Sequence, residues 1–333
     1  MKRFRLLWVL CLAVLWGNIS AAALAQDAPP VLGVGIYNME DTFISSLLSV
    51  IHAEADGVAT LIVTDAQNDQ NRQNDQVEEL LQRGVDALII NPVDRTSAIY
   101  LLQMAARYQT PIVFINREPL AEDLATYDKA YYVGIDPKEQ GILQGKLAAD
   151  YFKANAFADK NNDGKMQIVM LKGEPGHQDA ELRTLYAIKS LQSEGVVPDK
   201  LQEETARWER SLGQERMAAL LNTYGDRIEC IISNNDDMAL GAIDALKAAG
   251  YFTGGRYIPV IGIDATAPAV EVLSQGTLYA TVINDAVGQG KAAVTLAVLL
   301  ARGEDITESN FPYEVNEKII YIKSAVIITE TMP

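Results

Sequence analysis

From residue 31 onward, short apolar runs alternate with longer amphipathic stretches, and this rhythm restricts the chain more than any other feature. A short aliphatic run buried on both faces makes a parallel strand, and successive parallel strands need a crossover, usually a helix. The expected strands are 31–37, 61–64, 87–90 and 111–115, then a second series at 166–171, 229–233, 257–263 and 279–283. Helices are expected between them, among others at 74–83, 98–107, 138–153, 179–193 and 236–249. No Pro- or Ser-rich linker, heptad pattern or short tandem repeat separates the two series. The pattern therefore predicts an α/β chain of two similar lobes on parallel sheets, joined by hinge strands and not by a flexible tether. The polar run 65–76 interrupts the rhythm and reads as a solvated loop leading into a helix.

Ahead of this pattern stand Lys2, Arg3 and Arg5, an apolar run over 6–16, and small residues ending in Ala23-Leu24-Ala25. That is the make-up of a secretory signal peptide over 1–25, so the expected product is an exported, periplasmic protein. The apolar run is shorter than the roughly 20 residues of a membrane span. Cys11 follows Leu10, where a lipoprotein signal needs a small residue, so no lipid anchor is expected. The formal net charge is −16, and loss of the three leader cations makes it more negative still. Such a surface repels a phosphate backbone, which excludes nucleic acid as a partner. Cys230 would be the one cysteine left, and its place in Cys230-Ile231-Ile232 reads as a small buried hydrophobe.

In open parallel sheets, ligands bind beyond the carboxyl ends of the strands. Asp41 and Phe43 follow the first expected strand and Asn116 ends the fourth, while His177, Asp179 and Arg183 follow the strand ending at Leu171. Asn235, Asp264 and Asn284 follow three more. A sugar ring presents hydroxyls that pair with planar carboxylates, amides and guanidinium groups, and apolar C–H faces that suit an aromatic surface. Phe43 and Trp208 are the candidates for those faces. Taken singly each residue has a plainer reading: Asp41 and Asp236 fit helix caps, and Trp208 fits simple packing.

The segments FINREP (114–119), DKAYYVG (128–134), LKGEPGHQDAELR (171–183), NNDDMALGA (234–242) and TVINDA (281–286) resemble the periplasmic D-galactose/D-glucose-binding proteins. The resemblance implies a type I periplasmic binding fold, with two Rossmann-like lobes joined by a three-stranded hinge. It assigns 26–135 with 285–319 to one lobe and 136–284 with 320–333 to the other. It also implies that Asp41, Asn116, His177, Asp179, Arg183, Asn235, Asp264 and Asn284 hydrogen-bond a hexose, with Phe43 and Trp208 stacked on its faces. The implied partners are D-galactose or D-glucose, an ABC transporter permease and, in some relatives, a chemotaxis receptor; the chain itself would be a monomer. Three departures stand out. Gln178 occupies a position that the family commonly gives to Pro, the connection 250–257 looks longer, and the C-terminal tail looks shorter.

The segment DKNNDGKMQ (159–167) has the first nine positions of an EF-hand loop. Asp159, Asn161, Asp163 and Gln167 would offer side-chain oxygens, Lys165 its carbonyl, and Gly164 the sharp turn. Position twelve is Met170, which ligates no hard cation, so the residues alone leave a calcium site and an Asx-rich turn both open. The resemblance implies calcium, completed by Glu229. Rival functions are a glycosidase using Asp179 and Glu181, a repressor's effector domain, and a receptor for ribose or another sugar. Residues two apart on a helix diverge, which disfavours the first. The leader and the lack of a helix-turn-helix disfavour the second. The chain is accordingly expected to be a receptor and not an enzyme.

Overall fold

The computed structural model describes residues 28–330, so the leader expected over 1–25 lies outside the described residues. The first lobe opens with β1 (Val31–Ile36), α1 (Thr42–Ala55), β2 (Thr60–Asp65), α2 (Gln70–Gln82) and β3 (Ala87–Ile90). It continues with α3 (Ala98–Tyr108), β4 (Ile112–Ile115), α4 (Ala121–Leu124) and β5 (Ala130–Gly134). The second lobe comprises α5 (Pro137–Ala154), β6 (Lys165–Lys172), α6 (Gln178–Ser193), β7 (Val197–Thr205) and α7 (Arg210–Tyr224). It is completed by β8 (Cys230–Ser233), α8 (Asp236–Ala248), β9 (Val260–Asp264), α9 (Ala267–Ser274) and β10 (Ala280–Ile283). The chain then returns to the first lobe as α10 (Ala286–Arg302) and β11 (Ile319–Tyr321), and ends in the second as β12 (Val326–Ile328).

The two sheets have matching orders, β2-β1-β3-β4-β5-β11 and β7-β6-β8-β9-β10-β12. The first is wholly parallel, and only β12 runs antiparallel in the second. Central strands such as β3, β4 and β8 are buried throughout, which is why they read as unbroken aliphatic runs. Each sheet is covered on both faces. The first packs one core against α1 and α10 and another against α2 and α3. The second packs one against α7 and α8 and another against α5 and α6. Two lobes of this design have the type I periplasmic binding fold.

The chain crosses between lobes three times, after β5, after β10 and after β11. Ile320 and Tyr321 pair with Val133 and Gly134 in the first sheet, so the third crossing follows residue 321 and not 319. The polar run 65–76 is loop only in part. Asp69 caps α2 by accepting from the Asn71 and Arg72 amides, and Gln73, in the middle of the run, is buried. Residues 250–257 form a tight turn in which the Phe252 amide donates to the Arg256 carbonyl at 2.7 Å. Among the described residues, no helix is long and apolar enough to cross a membrane.

Candidate functional site

Strand ends and helix starts of both lobes converge on a single cleft, and their side chains are pinned before any ligand is considered. Asp41 caps α1: one carboxylate oxygen accepts from the Ile44 amide at 2.9 Å and the other from the Tyr37 hydroxyl at 2.6 Å. Phe43 sits two residues further on, almost fully buried. Asn116 follows β4 in the left-handed region, at φ 61°. Facing them, His177 caps α6, its Nδ1 accepting from the Asp179 amide at 3.2 Å. Withdrawal from water, with Arg117, Arg183 and Arg95 nearby, holds the imidazole well below its ordinary pKa. The neutral ring therefore carries its proton on Nε2.

Arg183 is held on three sides. Nη2 reaches Asp179 at 3.0 Å, Nε donates to Gln140 at 2.9 Å, and Nη1 donates to the Asn234 carbonyl at 2.9 Å. Burial raises the pKa of Asp179, and the Arg183 cation opposes that rise. Asn235 caps α8 through Oδ1 and donates from Nδ2 to the Trp208 carbonyl at 3.1 Å. Asn284 donates to Asp264 at 3.0 Å and accepts from Gln289 at 2.8 Å. Burial raises Asp264 well above the usual carboxylate range, Arg183 opposes, and the neighbouring Asp236 adds to the rise. Trp208 stands edge-on to His177, with ring centroids 5.1 Å apart.

All ten residues singled out for a sugar line one cavity: Asp41, Phe43, Asn116, His177, Asp179, Arg183, Trp208, Asn235, Asp264 and Asn284. Tyr37, Ile44 and Arg117 line it as well, and sequence reasoning missed them. Their signal was adjacency, since Tyr37 follows β1 and Arg117 follows Asn116. The Arg117 guanidinium lies 3.8 Å over the Tyr37 ring and reaches Glu174 of the other lobe at 3.3 Å. A second bridge between lobes runs from the Thr42 hydroxyl to Asp237 at 2.7 Å. The walls thus meet around a space whose lining, polar with two aromatic rings, is that of a small polar ligand's pocket. Glu181, the proposed partner of Asp179 in a glycosidase, instead pairs with Lys172 at 2.6 Å and accepts from the Gly176 amide. The two carboxylates do not flank a common space.

In the 159–167 loop, Asp159 accepts from the amides of Asp163 and Gly164, at 3.1 and 2.9 Å. Asn161 and Gln167 each donate a side-chain amide to Asp163, at 3.1 and 3.0 Å. Gly164 takes φ 74°, as the sharp turn requires, and Lys165 opens β6. Glu229 accepts from the Lys160 amide at 2.6 Å and the Gln167 amide at 2.9 Å, tying the loop to the start of β8. Among the described residues no three His, Cys, Asp or Glu side chains converge as metal ligands. A cation here would therefore depend on amide and backbone oxygens beside the acids. The Gln167 Oε1 atom, buried without a partner, is such an oxygen, so the residues present fit a hard ion.

The family profile of the periplasmic binding protein domain matches residues 33–305. The chain is 42 % identical over 325 residues to the D-galactose/methyl-galactoside binding periplasmic protein MglB of Haemophilus influenzae, covering 97 % of this chain and 96 % of that one. Its identity to the ribose import binding protein RbsB of Bacillus subtilis is 30 % over 288 residues, 84 % of each chain. Among solved structures, an ABC transporter solute binding protein from Bacillus halodurans with bound myo-inositol matches with a TM-score of 0.77 at 33 % identity. That match covers 91 % of this chain and 96 % of the other. These relatives are binding proteins of transport systems and not enzymes.

Proposed function

The chain belongs to the periplasmic binding protein family, and from that premise we propose that it is an extracytoplasmic hexose receptor, which closes on one D-galactose or D-glucose and delivers it to the permease of an ABC transporter. One observation carries the reading: planar polar side chains from both lobes, held by hydrogen bonds within the protein, surround one cavity that Phe43 and Trp208 also line. Carboxylates accept from sugar hydroxyls, Arg183 and the amides of Asn116 and Asn235 donate to them, and the aromatic rings cover the apolar faces. The kinship with a D-galactose/methyl-galactoside binding protein favours a hexose over the pentose named for the ribose relative. A single structural calcium ion belongs to the same reading, held by Asp159, Asn161, Asp163, the Lys165 carbonyl, Gln167 and Glu229. When bound, such an ion would supply a positive charge between the loop and the start of β8.

Calorimetric titration of unfolded and refolded, sugar-free protein tests the reading against D-galactose, D-glucose, D-ribose and myo-inositol. The two hexoses are expected to bind, and Asp264→Ala is expected to weaken them about 10- to 150-fold, since a hydrogen bond to a charged group contributes roughly 1.5–3 kcal/mol. Wild-type protein that binds neither hexose sinks the receptor reading, and a preference for ribose transfers it to pentoses.

A further inference from the structure

Asp264, the last residue of β9, and Ala265 after it take φ 124° and 54°, two successive non-glycine residues in a region that L side chains seldom occupy. Such a turn persists only where the surroundings over-determine it. Asp236, the first residue of α8, supplies the restraint although it lies outside the cavity lining. One of its carboxylate oxygens accepts from the Thr266 amide at 3.0 Å, and the other from the Thr281 hydroxyl at 2.8 Å. The Thr281 oxygen in turn accepts from the Ala265 amide at 3.2 Å. Both Asp236 and Thr281 are completely buried. β9 leaves room for them: a Cβ on Gly262 would lie 2.1 Å from the Asp236 carboxylate.

We propose that Asp236, acting with Thr281, is a positioning residue of the sugar site, clamping the 264–266 turn so that the Asp264 carboxylate faces the cavity. The inference rests on the hexose-receptor reading. Asp236 sits between Asn235 and the turn and bonds to β10, so it joins the strand ends that carry Asn235, Asp264 and Asn284. Burying a carboxylate is costly unless its hydrogen bonds are satisfied, and here both oxygens are engaged. Burial, together with the adjacent acid Asp237, raises its pKa. A residue kept only for packing would need none of this polar apparatus.

The test is a double-mutant cycle read by galactose titration. Asp236→Asn and Thr281→Val are each made in wild-type protein and in Asp264→Ala, with thermal unfolding run on every variant. Each single change is expected to weaken galactose binding by about tenfold or more, and Thr281→Ser to restore it to within about twofold. In the Asp264→Ala background, the same changes should alter affinity by less than about twofold, because the residue they position is already gone. Equal losses in both backgrounds overturn the proposal, as does a folded Thr281→Val protein that binds like wild type. If Asp236→Asn fails to fold, the Thr281→Val and Thr281→Ser pair decides alone. Wild-type protein that binds no hexose defeats the parent reading instead, a result separate from any pattern within the cycle.

Discussion

A Cβ placed on Gly173 would lie 2.2 Å from the indole ring of Trp208, so the ring can occupy its place only because position 173 carries no side chain. Gly173→Ala must push the ring aside without removing it. If Trp208 covers one face of the sugar, that displacement should weaken hexose binding by about tenfold, the loss expected for an impaired aromatic contact of roughly 1.4 kcal/mol. The melting temperature of the sugar-free variant should change little, since Trp208 is only partly buried. Titration of Gly173→Ala beside wild type checks this, and unchanged affinity would remove Trp208 from the sugar's surroundings. At this scale the site was largely legible, because a short aliphatic run announces where a strand stops and the next polar residue then lies at the rim. Tyr37 and Arg117 escaped because strand-terminal aromatics and cations are ordinary surface features until their neighbours are known. Gln178 is intelligible in the same terms. It is the first residue of α6, where Pro is tolerated because that amide has no partner within the helix, so the exchange leaves the His177 cap intact.

Among elements, the 159–167 loop and β8 make the clearest testable unit. Glu229 is nearly fully buried and burial raises its pKa, yet both its oxygens are spent on backbone amides of the loop. A calcium ion bound only by the folded state would stabilise it by mass action, about 2.7 kcal/mol at a hundred times its dissociation constant. Chelation should lower the melting temperature, and Glu229→Gln should reproduce much of that loss, with a smaller effect on sugar affinity because the loop lies apart from the cleft. Calorimetric melting with and without chelator, together with metal analysis, decides the matter. No calcium and an unmoved transition would leave the loop an Asx-rich turn. Elements varied in how well the sequence announced them, for reasons of burial. β8 is buried at every position and was plain. β7 lies at the sheet edge, is nowhere fully buried and contains Pro198, so no apolar run marked it. The start of α2 was hidden because Gln70, Gln73 and Gln76 satisfy buried carbonyls and loop amides, a polar use of a helix face that hydrophobic periodicity does not register.

At the scale of the molecule, the lobes are joined by three short crossings and meet across the cleft through a few polar contacts. The Thr42–Asp237 hydrogen bond and the Arg117–Glu174 ion pair, at 2.7 and 3.3 Å, stand at the rim. Neither involves any of the ten residues assigned to the sugar, although Arg117 also lines the cavity, so closure draws on two sources, the ligand and these bridges. Hinge motion about a few crossing residues is the usual way such lobes open, and a ligand drives closure only to the extent that it binds the closed state better. If the sugar bridges both lobes it does so, and small-angle scattering should then report a smaller radius of gyration for loaded protein than for sugar-free protein. The rim makes a finer prediction. The ion pair joins a buried Arg117 to a part-exposed Glu174 and contributes about 1 kcal/mol, and the neutral-to-charged hydrogen bond slightly more. Glu174→Gln and Asp237→Asn should therefore each speed sugar release by about two- to tenfold, while the association rate, set by the open form, changes little. The Glu174→Gln effect should shrink in high salt, which already screens the wild-type pair. Stopped-flow measurement of both rates at two ionic strengths tests this. Release rates equal to wild type in both variants would mean that the sugar alone holds the lobes together, and a slowed association would mean that the rim guides entry instead of retaining the ligand.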